Sequence, residues 1–274
     1  MYDRILVPLD GSAHAREVLP YAAGMAAVHG TTLTLLRIVD RETERHEAAR
    51  QVESLAASYS AQSLCVVEED DVAIAILQEA GHAPNTLVAL TSHGSSGLRE
   101  KIIGSVGLRV ARGRGAPVLV YRPVGKGEVD HKPTAIKRVV LSLDGSELSE
   151  SMAEDAAQLA AWLGVRLVVV GVITPDAGPA GNVPASDVSQ SAYVRSRAQE
   201  LAAKYHVEPS WEILHGRPAE AISTFAAEDP ATILAMTTRG RAPLGSAFLG
   251  SVTEGCLRRA GVPVFVRIGH LRRD

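Results

Sequence analysis

Residues Arg4–Ser12 read RILVPLDGS, and the chain returns to the same pattern 134 positions later as Arg138–Ser146, RVVLSLDGS. Thr32–Asp40 (TLTLLRIVD) returns at that same offset as Arg166–Thr174 (RLVVVGVIT). Further along, Thr91-Ser92-His93-Gly94 is matched by Thr237-Thr238-Arg239-Gly240, and Gly104-Ser105-Val106 by Gly250-Ser251-Val252. Here the offset is 146, so the second copy has gained a net 12 residues, and the Gly/Pro/Ala-rich stretch Pro175–Ser186 is where they fit. Matched segments in one order mean an internal duplication. Two copies are too few and too long for a solenoid, so the reading is two homologous domains. Their expected extents are residues 1–124 and 136–270, joined by a polar, glycine-containing linker over 125–135.

Each copy alternates short β-rich runs with longer amphipathic segments. In the first, strands are expected near 3–9, 32–39, 63–68, 86–91 and 117–121. They are nearly continuous apolar runs, as a parallel sheet covered on both faces requires. Helical spacing marks 13–28, 43–60, 71–80 and 105–112, with Val18, Ala22, Met25 and Ala26 on one face. Pro20 falls inside the first of these and predicts a kink that the second copy, with Glu154 there, does not share. The β-α-β-α alternation predicts an α/β fold of two tandem doubly wound domains, each a five-stranded parallel sheet with helices on both faces.

Composition narrows the function. A hydrophobic share of 46% is ample for globular cores, which excludes general disorder. With 28 Lys+Arg against 31 Asp+Glu the formal charge is -3, so no global attraction to DNA or to an anionic membrane is expected. The apolar runs fall well short of the ~20 residues of a membrane span. The opening MYDRILVPLDG carries charge where a signal peptide is apolar, so the expected location is cytoplasmic. Cys65 and Cys256 form no CxxC pair and are expected to be buried small hydrophobes.

In an open α/β sheet, ligands bind beyond the carboxyl ends of the strands where strand order reverses. Strand one ends in Asp10-Gly11-Ser12 or Asp144-Gly145-Ser146, and strand four in Thr91-Ser92-His93-Gly94 or Thr237-Thr238-Arg239-Gly240. The second loop then runs to Gly104-Ser105 or Gly250-Ser251 at the start of a helix. Glycines let backbone N–H groups approach an anion, a serine hydroxyl adds a donor, and a helix N-terminus carries positive potential. The plainer alternative is that the glycines make turns and Ser105 caps a helix. Asp10 and Asp144 likewise have a purely local reading, an Asx turn. Ile38 and Val172 would be apolar in any such sheet. His93 and Arg239 share one slot and fit either a phosphate contact or an exposed loop.

These motifs resemble the universal stress protein family, here as a tandem. The most specific element is that family's ATP-binding loop, G-x2-G-x9-G-[S/T]. This chain carries Thr91 for its first glycine, then Gly94, Gly104 and Ser105, and in the second copy Thr237, Gly240, Gly250 and Ser251. The resemblance implies the strand order 3-2-1-4-5 and one ATP, or another adenine nucleotide, in each domain, with Mg²⁺ on its phosphates. It implies that Asp10 and Asp144 lie against the nucleoside and that Ile38 and Val172 line the adenine pocket. The flanking residues Pro8, Leu9, Leu90 and Val106, with Ser142, Leu143, Met236 and Val252, complete the expected set. Pairing of the domains through their fifth strands, and a possible homodimer of the tandem chain, are further implications.

Reaction machinery is not evident. Gly125-Lys126-Gly127 does not make a P-loop, Gly94-Ser95-Ser96-Gly97 is one residue short of a GxSxG elbow, and His46-Glu47 lacks a second histidine at metalloprotease spacing. The expected function is an ATP-binding, regulatory or stress-survival protein with no catalytic residues assigned. A slow ATPase or other nucleotide-hydrolysing enzyme, and a nucleotide-free interaction module, are the alternatives.

Overall fold

A computed structural model describes residues 1–92, 104–124, 132–174, 185–239 and 250–269. The chain folds as two compact units, Met1–Ala135 and Ile136–Asp274.

The first domain runs β1 (Arg4–Leu9), a 3-10 turn (His14–Val18), α1 (Leu19–His29), β2 (Thr32–Val39), α2 (Glu42–Ser58) and β3 (Gln62–Val67). It continues through α3 (Val72–Gly81), β4 (Thr86–Thr91), α4 (Ser105–Arg114) and β5 (Val118–Tyr121). The sheet order is β3-β2-β1-β4-β5, with parallel pairing. Ile5, Leu6, Leu35, Leu36, Leu87 and Leu119 are fully buried at its centre. Continuous apolar strands therefore do what a two-sided sheet demands of them.

The second domain repeats this as β6 (Arg138–Ser142), α5 (Glu147–Glu150), α6 (Ala153–Leu163), β7 (Arg166–Ile173), α7 (Ala185–Tyr205) and β8 (Pro209–His215). Then come α8 (Pro218–Ala227), β9 (Thr232–Arg239), α9 (Ser251–Arg259) and β10 (Val264–Gly269), in the order β8-β7-β6-β9-β10. Both domains thus have the 3-2-1-4-5 order. The register matches as well: Arg4 pairs with Thr32, and Arg138 with Arg166.

Pro20 departs from expectation. It stands in the first turn of α1 rather than inside a longer helix, where a missing N–H costs nothing because first-turn donors lack intrahelical partners. The break before it is shared by the second domain, where α5 ends at Glu150 and α6 starts at Ala153 although Glu154 replaces the proline. In both domains the helical segment after the first strand therefore comes in two parts, and proline is not the cause. At the end of the first domain the chain comes back against α1: Thr134 N–H donates to the Pro20 carbonyl at 2.8 Å. A Cβ on Gly24 would stand 1.8 Å from the Thr134 carbonyl oxygen, so only glycine permits this approach.

Candidate functional site

The site is built where β1, β2 and β4, or β6, β7 and β9, end side by side. After β1 the Asp10 carboxylate accepts the Ser12 N–H at 2.9 Å, and Gly11 takes φ +87°. After β6 the Asp144 carboxylate accepts the Ser146 N–H at 2.9 Å, and Gly145 takes φ +77°. Both are Asx turns that need glycine at the left-handed position. A turn role does not consume the carboxylate, which keeps acceptor capacity for a ligand.

In the second domain these ends enclose a cavity of about 530 Å³. Ser142, Leu143 and Asp144 supply one wall, Val172 of β7 a second, and Met236 and Thr237 of β9 a third. Gly250, Ser251 and Val252 close it from the start of α9. The structure thus gathers these expected residues around one space. Sequence reasoning missed Ser149 on α5, Pro218 and Ile222 on α8, and Thr238 and Thr253, which share the lining. Arg239 ends β9, while Gly240 lies outside the described residues.

The chemistry of this cavity is mixed. The first bond within α9 runs from the Glu254 N–H to the Gly250 carbonyl, at 2.9 Å. The N–H groups of Ser251, Val252 and Thr253 are therefore left without partners inside the helix and carry the positive end of its dipole. Gly250 has φ -53° and ψ 143°, and among the described residues a Cβ there would meet nothing within 4 Å. Asp144 lines the same cavity. Desolvation there pushes its carboxyl up, but hydrogen bonds from the Ser146 hydroxyl and N–H and from Ser149 more than offset this. The net shift is downward, so the group is anionic at neutral pH. Leu143, Val172, Ile222 and Met236 make up the apolar part of the lining.

In the first domain Pro8, Leu9, Asp10, Ile38, Leu90 and Thr91 lie on the corresponding strand ends, with Gly104, Ser105 and Val106 opening α4. The Thr91 hydroxyl donates to the Ala15 carbonyl at 3.3 Å, tying β4 to the turn after β1. The Gly104 N–H donates to the Ser92 carbonyl at 3.1 Å, and a Cβ on Gly104 would come no nearer than 3.7 Å to that oxygen. Arg37 belongs to no sequence motif, yet its guanidinium donates to the carbonyls of Leu9 and Ile38 at 3.3 and 3.0 Å and rests on Gly11. Gly171 takes that place in the second domain, where a Cβ would press on Val194 of α7 at 2.8 Å. His93 and Gly94 lie outside the described residues.

Cys256 is fully buried, and burial pushes its thiol up to about 11. Cys65 departs from expectation in being only half-buried, because β3 is an edge strand. Among the described residues no three His, Cys, Asp or Glu side chains converge on a possible metal position, and no helix is long and apolar enough to cross a membrane.

A family model described as the universal stress protein family matches residues 1–122 and again 135–267. The chain belongs to the universal stress protein family. As a tandem universal stress protein it is 30% identical over 139 residues to a universal stress protein of Methanocaldococcus jannaschii, covering 47% of this chain and 81% of that protein. A Thermus aquaticus universal stress protein is 32% identical over 133 residues, covering 47% of this chain and 97% of its own length. Each of these relatives therefore matches about one domain's worth of the tandem. A solved universal stress protein from Archaeoglobus fulgidus superimposes across both domains, with 98% of this chain and 99% of that one covered, TM-score 0.68 and 21% identity. That likeness supports the fold of the full tandem.

Proposed function

We propose that this universal stress protein binds an adenine nucleotide in each domain and acts through the bound state, as a regulatory or stress-survival factor. One observation carries the reading: the second domain's cavity is lined together by an anionic Asp144, by apolar Val172, Ile222 and Met236, and by the start of α9, whose first N–H groups have no partner within the helix. A nucleotide offers a match to each. Its phosphates suit the helix N-terminus, its ribose hydroxyls suit a carboxylate acceptor, and its base suits the apolar residues Val172, Ile222 and Met236. The first domain carries the corresponding residues on the corresponding elements: Gly104–Val106, Asp10, and Ile38 with Leu90.

The charge of the phosphates themselves favours a divalent ion such as Mg²⁺ on them. In this reading the residues hold and orient the ligand and carry out no reaction on it. Calorimetric titration with ATP and Mg²⁺, followed by a phosphate-release assay on the same sample, tests this. Binding without multiple turnover is the expected result. Sustained turnover would replace the reading with an ATPase, and absence of any binding would replace it with a nucleotide-free interaction module.

A further inference from the structure

Each domain carries a groove between the helical segment after its first strand and the helix after its second. In the second domain Glu150, Arg197, Glu200, Leu201 and Lys204 line about 300 Å³ of space between α5, α6 and α7. In the first, Arg16, Gln51, Ser54, Leu55 and Ser58 line about 660 Å³ along α2. These are the same five positions. The strand-one offset of 134 sets Arg16 on Glu150. An offset of 146 sets α2 on α7, since the turn after each helix holds a left-handed residue, Ser60 at φ 52° and His206 at φ 56°. None of these residues belongs to the nucleotide set above.

In the second domain the groove's charges answer one another. The Glu150 carboxylate accepts from the Arg197 guanidinium at 2.7 and 3.1 Å and from the Tyr193 hydroxyl. Arg197 also pairs with Glu200, and Lys204 donates to Glu154 at 3.3 Å. In the first domain every acid of that set is replaced: Arg16 stands for Glu150, Pro20 for Glu154 and Ser54 for Glu200. The acid that lines this groove is Glu47, whose carboxylate is taken by the Arg50 guanidinium and, at 2.9 Å, by the Gln51 amide. The half-buried Arg16 guanidinium has no hydrogen bond or ion pair among the described residues. Two arginines therefore line the groove with one carboxylate that is already engaged. A partly desolvated charge without an acceptor gains from any anion that reaches it.

We propose that this groove of the first domain is an oxyanion site, taking a carboxylate or phosphate group of a small molecule with Arg16 as its main ligand. The anion does for Arg16 what Glu150 does for Arg197 in the second domain. The planar guanidinium fork meets either oxyanion with two parallel N–H donors. Arg50 and the Ser54 hydroxyl line the same groove and add further donors.

The test is a titration of the nitrogen-15-labelled full chain with inorganic phosphate and, separately, with succinate, at constant ionic strength. The signals followed are the Arg16 Nε–H and the Gln51 side-chain amide. A saturable shift is expected, with a dissociation constant on the order of 1 mM for a pair still open to solvent. Arg16→Gln should abolish saturation at Gln51. Arg16→Lys, which keeps the charge but not the fork, should weaken it about threefold or more. Arg16→Glu together with Gln51→Arg rebuilds the second domain's ion pair, and should close the groove to both anions while the melting temperature holds or rises. ATP binding should be unchanged in each variant. Saturation with phosphate alone assigns a phosphate ligand, with succinate alone a carboxylate, and with both a general oxyanion site. No saturable shift with either anion, shifts reproduced by sodium chloride, or saturation that survives Arg16→Gln overturns the inference while leaving the nucleotide reading standing. So does loss of ATP binding in Arg16→Gln, which would move Arg16 into the nucleotide site.

Discussion

Gly250→Val separates folding from binding in the second domain. Gly250 sits just before α9 at φ -53° and ψ 143°, a conformation open to any L-residue. Among the described residues a Cβ there meets nothing within 4 Å. Gly250 is the N-cap of α9, where valine is less favourable than glycine, so stability should fall by no more than about 1 kcal/mol. Binding should respond differently, because the isopropyl group occupies the space beside the Ser251 and Val252 N–H groups. If two charge-assisted hydrogen bonds to phosphate are lost, at about 1.5–3 kcal/mol each, the second site weakens by roughly 3–6 kcal/mol, or about 10²- to 10⁴-fold. Calorimetric titration with Mg²⁺ and ATP should show the stoichiometry falling from two per chain to one, with only a small shift in the denaturation midpoint. Full occupancy of both sites in the variant would refute the placement of phosphate at the start of α9.

Other perturbations probe the frame around the site. Gly24→Ala drives a Cβ to 1.8 Å from the Thr134 carbonyl, so it should destabilise the chain by about 1–3 kcal/mol or more; an unchanged urea midpoint would contradict the close approach. Arg267→Ala removes the 2.5 Å ion pair with the mostly buried Asp155 and should cost about 1–3 kcal/mol in denaturant unfolding. The Asp144 carboxyl, held down by the Ser146 and Ser149 hydrogen bonds against desolvation, should titrate below the ~3.9 of a free aspartate. Its folded pKa is the lower one, so its contribution to stability is present above about pH 4 and fades as pH falls through the depressed value. Carbon-13 NMR of the Asp144 carboxyl should show that midpoint, and Ser146→Ala should move it upward.

The α/β alternation and the matching register of the two copies are legible in the sequence because the duplication prints them twice, whereas the strand order comes from the family resemblance. The 28 positions between Asp10 and Ile38, and between Asp144 and Val172, are the register of β1 on β2 and of β6 on β7. Boundaries of β2 and β4 follow directly from their largely apolar runs. The break ahead of Pro20 is not legible, because proline inside a helical pattern signals a kink, whereas here the chain has already turned. Ser149, Thr238 and Thr253 escape notice for a different reason. A serine or threonine near a helix start reads as a cap, and only the packed structure shows whether its hydroxyl is spent on its own helix or on a neighbouring loop. Pro218 and Ile222 reach the cavity from α8, far along the chain, so no local spacing could nominate them. Arg37 is of the same kind: a charge within an apolar strand, legible as unusual, whose resting place on Gly11 depends on the strand register.

Native mass spectrometry of the intact chain with Mg²⁺ and ATP asks directly whether each domain holds a nucleotide. Mass increments of one and then two nucleotides per chain are expected, with a single increment in Gly104→Val and in Gly250→Val. An unliganded mass at saturating ATP, or two increments that survive both glycine substitutions together, would contradict nucleotide binding at these two sites.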